Sequence, residues 1–297
     1  MSVNVAKQDK SVIAQKIEDY KLLVKFRLNL LVVFTAGIGY VIGSGQHFTW
    51  LNLVVLSLGG FLITGAANAL NQVLEKDSDK LMSRTSNRPL PTGRMTTSTA
   101  VLAAGFMSLV GITLLASFNP LTALIGTVSL IIYAFVYTPV KKISSIAVLI
   151  GAIPGALPPM IGWVAATGTL GAEAIMLFAI QFIWQFPHFW AIAWLQHDDY
   201  KKVGYHLLPS KGGRDKSSAL QCLIYAIFLI PISLTVGFIG MASWIVVGVI
   251  TAAALYYIFY AWKFYQNCTM EGAKKLMFSS FFYLPIVMIA LLLGFIL

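Results

Sequence analysis

Charge is what this sequence is shortest of. Only 11% of its 297 residues are Asp, Glu, Lys or Arg, where a soluble globular domain carries about 25%. Acids are the rarer sign, 11 against 21 Lys and Arg. No polar stretch exceeds about 30 residues, too few for a second, soluble domain. Cysteine is nearly absent: Cys222 and Cys268 lie far apart and neither belongs to a CxxC pair, which argues against a disulfide or a zinc site. There is no low-complexity tract. Residues 1–25 have neither the short apolar core of a secretory signal nor the Arg-rich, acid-poor character of a transit peptide.

What is present is apolar. Hydrophobic residues make up 58% of the chain, gathered into nine segments near 26–45, 50–70, 98–118, 120–138, 146–166, 171–195, 219–240, 243–262 and 276–297. Each approaches the roughly 20 residues that a helix needs to span a bilayer. The expectation is an all-α polytopic membrane protein. A cytoplasmic N-terminal tail (1–25) precedes one transmembrane domain of nine helices (26–297).

The basic residues give that bundle an orientation. They occur at or before Arg27, between segments two and three, after segment four, after segment six and after segment eight. The loops near 46–49, 119, 167–171 and 241 carry none. Positive loops stay in the cytoplasm. The N-terminus is therefore expected inside and the C-terminus outside, in a bacterial plasma membrane. The net charge of +10 is spent on orientation and on the lipid bilayer, and no nucleic-acid partner is expected.

Two polar stretches break the apolar pattern. In the first, 68–94, Asn71, Glu75 and Asp79 recur every four residues, which places them along one helical face. Arg84 and Arg88 come next at the same spacing, and Pro89 and Pro91 then stop any helix. In the second, 196–216, Asp198 and Asp199 precede Lys201 and Lys202. Both stretches close an apolar span on the same side of the membrane. Acids facing each other across a bundle suit Mg²⁺, which takes oxygen ligands and shares them with substrate phosphates. Arginine and lysine beside them suit phosphate oxygens. Asn71 and Asp79 are about 12 Å apart along a straight helix, so one ion cannot join them, and a diphosphate with more than one Mg²⁺ fits better. The competing reading is a solvated, orienting loop.

Segment six carries an intramembrane histidine, His188, within WQFPHFWAIAW. Such a residue binds heme iron, moves a proton, or hydrogen-bonds across helices. Gln181 and Gln185 share its helical face, and Trp184, Trp190 and Trp194 suit a flat aromatic ligand. His47, His197 and His206 lie in loops. Gly39 with Gly43, and Gly151 with Gly155, have helix-packing spacing. Pro154, Pro158 and Pro159 free backbone carbonyls in segment five, for a kink or for a pocket.

These motifs carry a resemblance. N-x-x-x-E-x-x-x-D at Asn71, Glu75 and Asp79 resembles the first acidic motif of the UbiA-type intramembrane prenyltransferases. EKDSDKLMSRTSNRPLPTGR (75–94), YTPVKK (137–142), GAIPGALPPMIGW (151–163) and WQFPHFWAIAWLQHDDYKKVGYHLLP (184–209) together look like the heme-using branch of that family. The departure is at Gln196 and Tyr200, which stand where a second motif would place aspartates.

The resemblance implies farnesyl diphosphate and heme B as substrates. It implies Mg²⁺ on Asn71, Glu75 and Asp79 with Asp198 or Asp199 opposite, and Arg84, Arg88, Lys142 and Lys202 as diphosphate clamps. His188 and Trp184 fall on the heme side. Heme A synthase or terminal oxidase assembly factors are the implied protein partners. Another prenyl acceptor, a secondary transporter and a non-catalytic heme carrier compete with this reading. Transport is disfavoured, because every acid except Glu173 lies at or beyond a cytoplasmic end whereas transporter sites lie near the midplane.

Overall fold

The computed structural model describes residues 2–296, and all regular structure among them is helical. α1 (Ser2–Leu23) leads into α2 (Phe26–Ser44), then a short 3₁₀ turn, Gly45–His47. Then come α3 (Trp50–Leu81), α4 (Thr97–Ala116) and α5 (Pro120–Ile131). α5 continues through a π-helical turn, Ile132–Tyr137, into the short α6 (Thr138–Val140). α7 (Ala147–Thr167), α8 (Ala172–Leu195) and α9 (His197–Lys202) are next in order. The chain ends with α10 (Lys216–Ile227), α11 (Leu229–Phe238), α12 (Trp244–Asn267) and α13 (Met270–Ile296).

Among the described residues, nine helical stretches are long and apolar enough to cross a membrane, as expected. Their ends differ from the sequence reading where capping decides them. The second span runs to Leu81, because the polar residues after Ala69 stay helical. The seventh is broken at Phe228 between α10 and α11; Pro231 has no N–H to give the Ile227 carbonyl. The ninth begins at Met270, where the Gly272 N–H donates to Thr269 Oγ1 at 3.0 Å.

α2 and α7 pack together at the centre, with one apolar core on each side. One core joins α8, α10, α12 and α13; the other joins α3, α4, α5 and the far half of α7. The central crossing depends on glycine. A Cβ on Gly39 would collide with the Pro159 carbonyl oxygen, and one on Gly162 would collide with that of Ala36. Backbone meets backbone there, as small residues permit in lipid.

The prolines of α7 leave it a single helix. Pro159 cannot donate to the Gly155 carbonyl, and Gln181 Nε2 on α8 takes that place at 2.7 Å. Gln185 Nε2 donates to Ala152 O at 3.1 Å. The polar face of α8 thus serves the α7 backbone.

The segment read as a polar tail is helical, and its end is held in the fold. Gln72 Nε2 donates to the Leu22 and Leu23 carbonyls at 2.9 and 2.7 Å, and Asn68 Nδ2 donates to Val24 O at 3.3 Å. These side chains satisfy carbonyls that a helix end leaves open. Arg94 Nε donates to Asp19 at 2.9 Å. Lys25, at the junction of α1 and α2, adopts a left-handed conformation with φ 49°.

Candidate functional site

The last turns of α3 carry the polar row. Asn71, Glu75 and Asp79 are all buried, Asp79 completely. α3 is an unbroken helix through Leu81, so Asn71 and Asp79 remain too far apart for one ion. Each member of the row instead meets its own cation. Lys25 Nζ donates to Asn71 Oδ1 at 3.1 Å. Lys141 Nζ lies 2.7 Å from Glu75 Oε1. Arg88 Nη1 lies 2.7 Å from Asp79 Oδ2.

Three different segments bring those cations in. Lys25 comes from the α1–α2 junction, and its ammonium also donates to Tyr133 Oη at 3.2 Å. Burial pushes this lysine below its usual range, with Arg88 and Lys141 adding repulsion. Lys141 comes from the end of α6. Here the π turn matters, since an extra residue in the turn rotates the helix beyond it, and such turns are frequent at functional sites. Thr138 Oγ1 donates to Tyr133 O, five residues back, at 2.9 Å, and accepts from Asn71 Nδ2 at 3.0 Å. The Lys141 ammonium then lies 4.2 Å from the centre of the Tyr137 ring. Burial disfavours its charge, but Tyr137 and Glu75 outweigh that and hold it protonated well above the ordinary lysine value.

Arg88 returns from the loop after α3. The sequence reading let a helix run on through Arg84 and Arg88, four apart, to the prolines, but the helix ends at Leu81 with Met82 extended. Ser83, Thr85 and Ser86 offer the backbone other partners; Thr85 Oγ1 caps the Asp79 carbonyl at 3.1 Å. The loop folds Arg88 back onto Asp79. Arg84 is exposed and has no ion-pair partner among the described residues.

Two further expected residues lie outside the buried row. Lys142 is exposed, and the buried position beside Glu75 belongs to its neighbour Lys141. Asp198 does not face the row. Its side chain is 76% exposed and pairs with Arg214 Nη1 at 3.0 Å. Adjacent residues on a helix point about 100° apart, so only one of the two aspartates of α9 can turn inward. That one is Asp199, which accepts from the Ser83 N–H at 3.0 Å and from Ser83 Oγ. Lys202 lies 2.6 Å away on the other oxygen. Lys202 and Ser83 hold the Asp199 carboxyl down at about 2. The second acidic cluster therefore ties α9 to the loop that succeeds the first.

Tyr205 completes the site. Its hydroxyl is buried without a hydrogen-bond partner, and its ring centre is 5.7 Å from Lys141 Nζ. Burial, with Glu75 nearby, pushes the hydroxyl well above its usual range, so it stays a donor. The loop is fixed by a bond from the His206 N–H to Lys141 O at 2.9 Å. Lys25, Tyr133, Thr138, Lys141, Ser83 and Tyr205 were all missed from the sequence. The available signals were Lys25 at the edge of the first span and the polar ending of YTPVKK.

The residues present suit hard oxygen-seeking cations. Asp79 Oδ1 is buried and has no partner, and Asn71 and Glu75 add oxygens on the same face. Among the described residues no three Asp, Glu, His or Cys side chains form a cage. An ion here must share ligands with a bound anion, as Mg²⁺ does.

His188 is buried away from this row, among aromatic rings. It stacks on Trp184 with ring centres 5.0 Å apart and meets Phe281 edge-on at 5.1 Å. Its Nδ1 is 2.6 Å from Ser280 Oγ. One arrangement satisfies both contacts: the Ser280 hydroxyl donates to the Met277 carbonyl, and its oxygen accepts from His188 with the proton on Nδ1. Nε2 is then the ring's unprotonated nitrogen. Trp184 Nε1 donates to Ser280 O at 2.9 Å.

Comparison with known proteins shows the family and the fold. The profile of the UbiA prenyltransferase family matches residues 32–286. A Cytophaga hutchinsonii protein named protoheme IX farnesyltransferase is 46% identical over 281 residues, covering 94% of this chain and 98% of that protein. Among solved structures, a digeranylgeranylglyceryl phosphate synthase superposes with a TM-score of 0.78 at 19% identity, covering 95% of this chain and 99% of that one. A UbiA homolog from Archaeoglobus fulgidus bound to GPP and Mg²⁺ superposes with a TM-score of 0.70 at 16% identity, covering 92% and 99%.

Proposed function

The chain belongs to the UbiA prenyltransferase family, and from that premise we propose that it transfers the farnesyl group of farnesyl diphosphate to the 2-vinyl group of heme B, with addition of water, giving heme O. The observation that carries the reading is the buried row of one amide and two carboxylates, each met by a cation from outside the helix. The relative named protoheme IX farnesyltransferase, matched over nearly the full chain, supplies the acceptor.

The row exchanges partners of the same sign. A diphosphate brings anionic oxygens to Lys25, Lys141 and Arg88. Asn71, Glu75 and Asp79 would hold Mg²⁺, whose charge stabilises the departing diphosphate. No buried charge is then left alone, which would cost about 3–5 kcal/mol for each broken pair. Tyr205 and Lys141 donate toward the leaving oxygens, and positioned donors of this kind act where charge develops.

The farnesyl C1–O bond breaks and diphosphate takes the electron pair. The terminal vinyl carbon of heme B bonds to C1. Water adds to the resulting cation beside the porphyrin, and one proton leaves to solvent. A vinyl group needs no deprotonation before attack, so no base is required at that stage. The apolar bundle holds the fifteen-carbon chain and keeps water away until capture. His188, with Nδ1–H fixed by Ser280, offers Nε2 to the heme iron, and Trp184 supports the ring.

In the membrane, the N-terminus is cytoplasmic, the C-terminus is outside, and the mouth of the site opens to the cytoplasm. A bacterial plasma membrane is the location, and a terminal oxidase and its assembly factors, or heme A synthase, receive the product. Reporter fusions at Gln46 and Gly168 reading as external support this topology. Purified protein incubated with heme B, farnesyl diphosphate and Mg²⁺ should form heme O by mass spectrometry and fail without Mg²⁺. Product only with a quinone or chlorin precursor would replace the acceptor and keep the fold-level reading.

A further inference from the structure

A second polar feature lies away from the candidate site, between α12 and α13. A groove of about 330 Å³ is walled by Tyr256 and Tyr260 of α12 and by Lys274, Lys275 and Phe278 of α13. A smaller hollow of about 110 Å³ continues it to Lys263 and shares Tyr260 and Lys275. Counting spans places this end of the two helices on the same side of the membrane as the loops after α3, α6 and α8.

The groove has more positive charge than it neutralises. Glu271 is its one acid, and Lys275 Nζ takes it at 2.6 Å. Lys263 and Lys274 are exposed and have no carboxylate partner among the described residues. The two tyrosines meet edge to face, with ring centres 5.1 Å apart. Tyrosine beside lysine at a span end is the composition of the headgroup layer.

Below the lysines the surface turns apolar along one face of α13. Phe278, Phe282, Ile286, Ile289 and Leu293 recur at helical spacing and are each 42–58% exposed. The feature therefore has a cationic head and a long apolar track, which a small soluble anion would not use. Basic pockets between transmembrane helices are suited to anionic lipid headgroups.

We propose that this groove binds an anionic phospholipid. The phosphate lies against Lys263, Lys274 and Lys275, the tyrosines border the glycerol region, and an acyl chain runs along the Phe278–Leu293 face. The site is separate from the Asn71–Asp79 row and has no part in the transfer reaction.

Native mass spectrometry of the intact protein tests this, using phosphatidylglycerol and phosphatidylcholine of matched chains. Phosphatidylglycerol should bind the wild-type protein about tenfold more tightly. The triple variant Lys263→Ala, Lys274→Ala, Lys275→Ala should lose that preference, and the triple Lys→Arg variant should keep it. All three positions are exposed, and circular dichroism checks that each variant remains folded. Equal binding of the two lipids, or an unchanged preference in the alanine variant, overturns the proposal. Displacement of the lipid by inorganic phosphate overturns it in favour of a soluble-anion site. Displacement by farnesyl diphosphate overturns it in favour of a second substrate site.

Discussion

The acids at the end of α3 and the acids of α9 share a composition. Both come after a long apolar helix, and both are trailed by lysine and arginine. Their surroundings differ. Glu75 and Asp79 are buried and paired with residues from other segments, Lys141 and a looped-back Arg88. Asp199 is held by Lys202, three residues on, and by a backbone N–H, while Asp198 lies open on the surface. A carboxylate whose partner cation is itself largely buried, as Lys141 and Arg88 are, can exchange that partner for a ligand. A carboxylate held by a neighbour and a main-chain amide is fastening a loop.

The largest test of that contrast is on α3. Glu75→Gln or Asp79→Asn should lower heme O formation more than about 100-fold, near 3 kcal/mol of barrier, while the protein still inserts. A product assay on membranes checked for protein level measures it. Near-normal turnover in both variants would make the row a structural feature like α9.

A second test separates two adjacent lysines. Lys141→Met should raise the KM for farnesyl diphosphate about 10–100-fold, the loss of one charge-assisted contact being worth roughly 1.5–3 kcal/mol. Lys142→Met should change it less than about twofold, as for a surface charge. Equal effects of the two substitutions would remove the distinction drawn from burial.

These residues also show how far the sequence could be read. Span number and loop alternation were legible because lipid demands long apolar helices and leaves charge only at their ends. The row on α3 was legible because its period is that of a helix. The partners were not. Lys141 and Lys142 differ by one residue, and the choice between them depends on a π turn that no apolar pattern announces. Lys25 counted only as a topological charge, although the Gln72 and Asn68 amides draw the end of α1 into the site. Arg84 and Arg88 looked equivalent until the helix ended at Leu81. Gln181 and Gln185 read as a polar, inward face beside His188, and both are buried, but their amides serve the α7 backbone at Gly155 and Ala152.

A smaller effect belongs to Asp199. Its carboxyl is held at about 2 against an ordinary 3.8, so it stabilises the loop contact at any pH above the ordinary value. That contribution is lost as pH falls toward 2. Hydrogen exchange at the Ser83 amide should therefore stay protected at pH 7 and at pH 4. Asp199→Asn should speed that exchange and lower turnover by less than about tenfold, since it loosens a loop and leaves the row intact. An Asp199→Asn loss as large as that of Asp79→Asn would place α9 in the chemistry.

The smallest effect is expected at Asp198, and it bears most directly on the contrast. The carboxylate is 76% exposed and meets Arg214. Arg214 is held independently, since its Nε donates to the Trp194 carbonyl at 2.8 Å. Removing Asp198 therefore leaves Arg214 anchored through that carbonyl. Exposed ion pairs contribute about 0–1 kcal/mol. Asp198→Asn should leave kcat and the KM for farnesyl diphosphate within about twofold of the wild-type values. A drop approaching that of Asp79→Asn would mean that α9 turns in the substrate complex, bringing its outer aspartate to face the row.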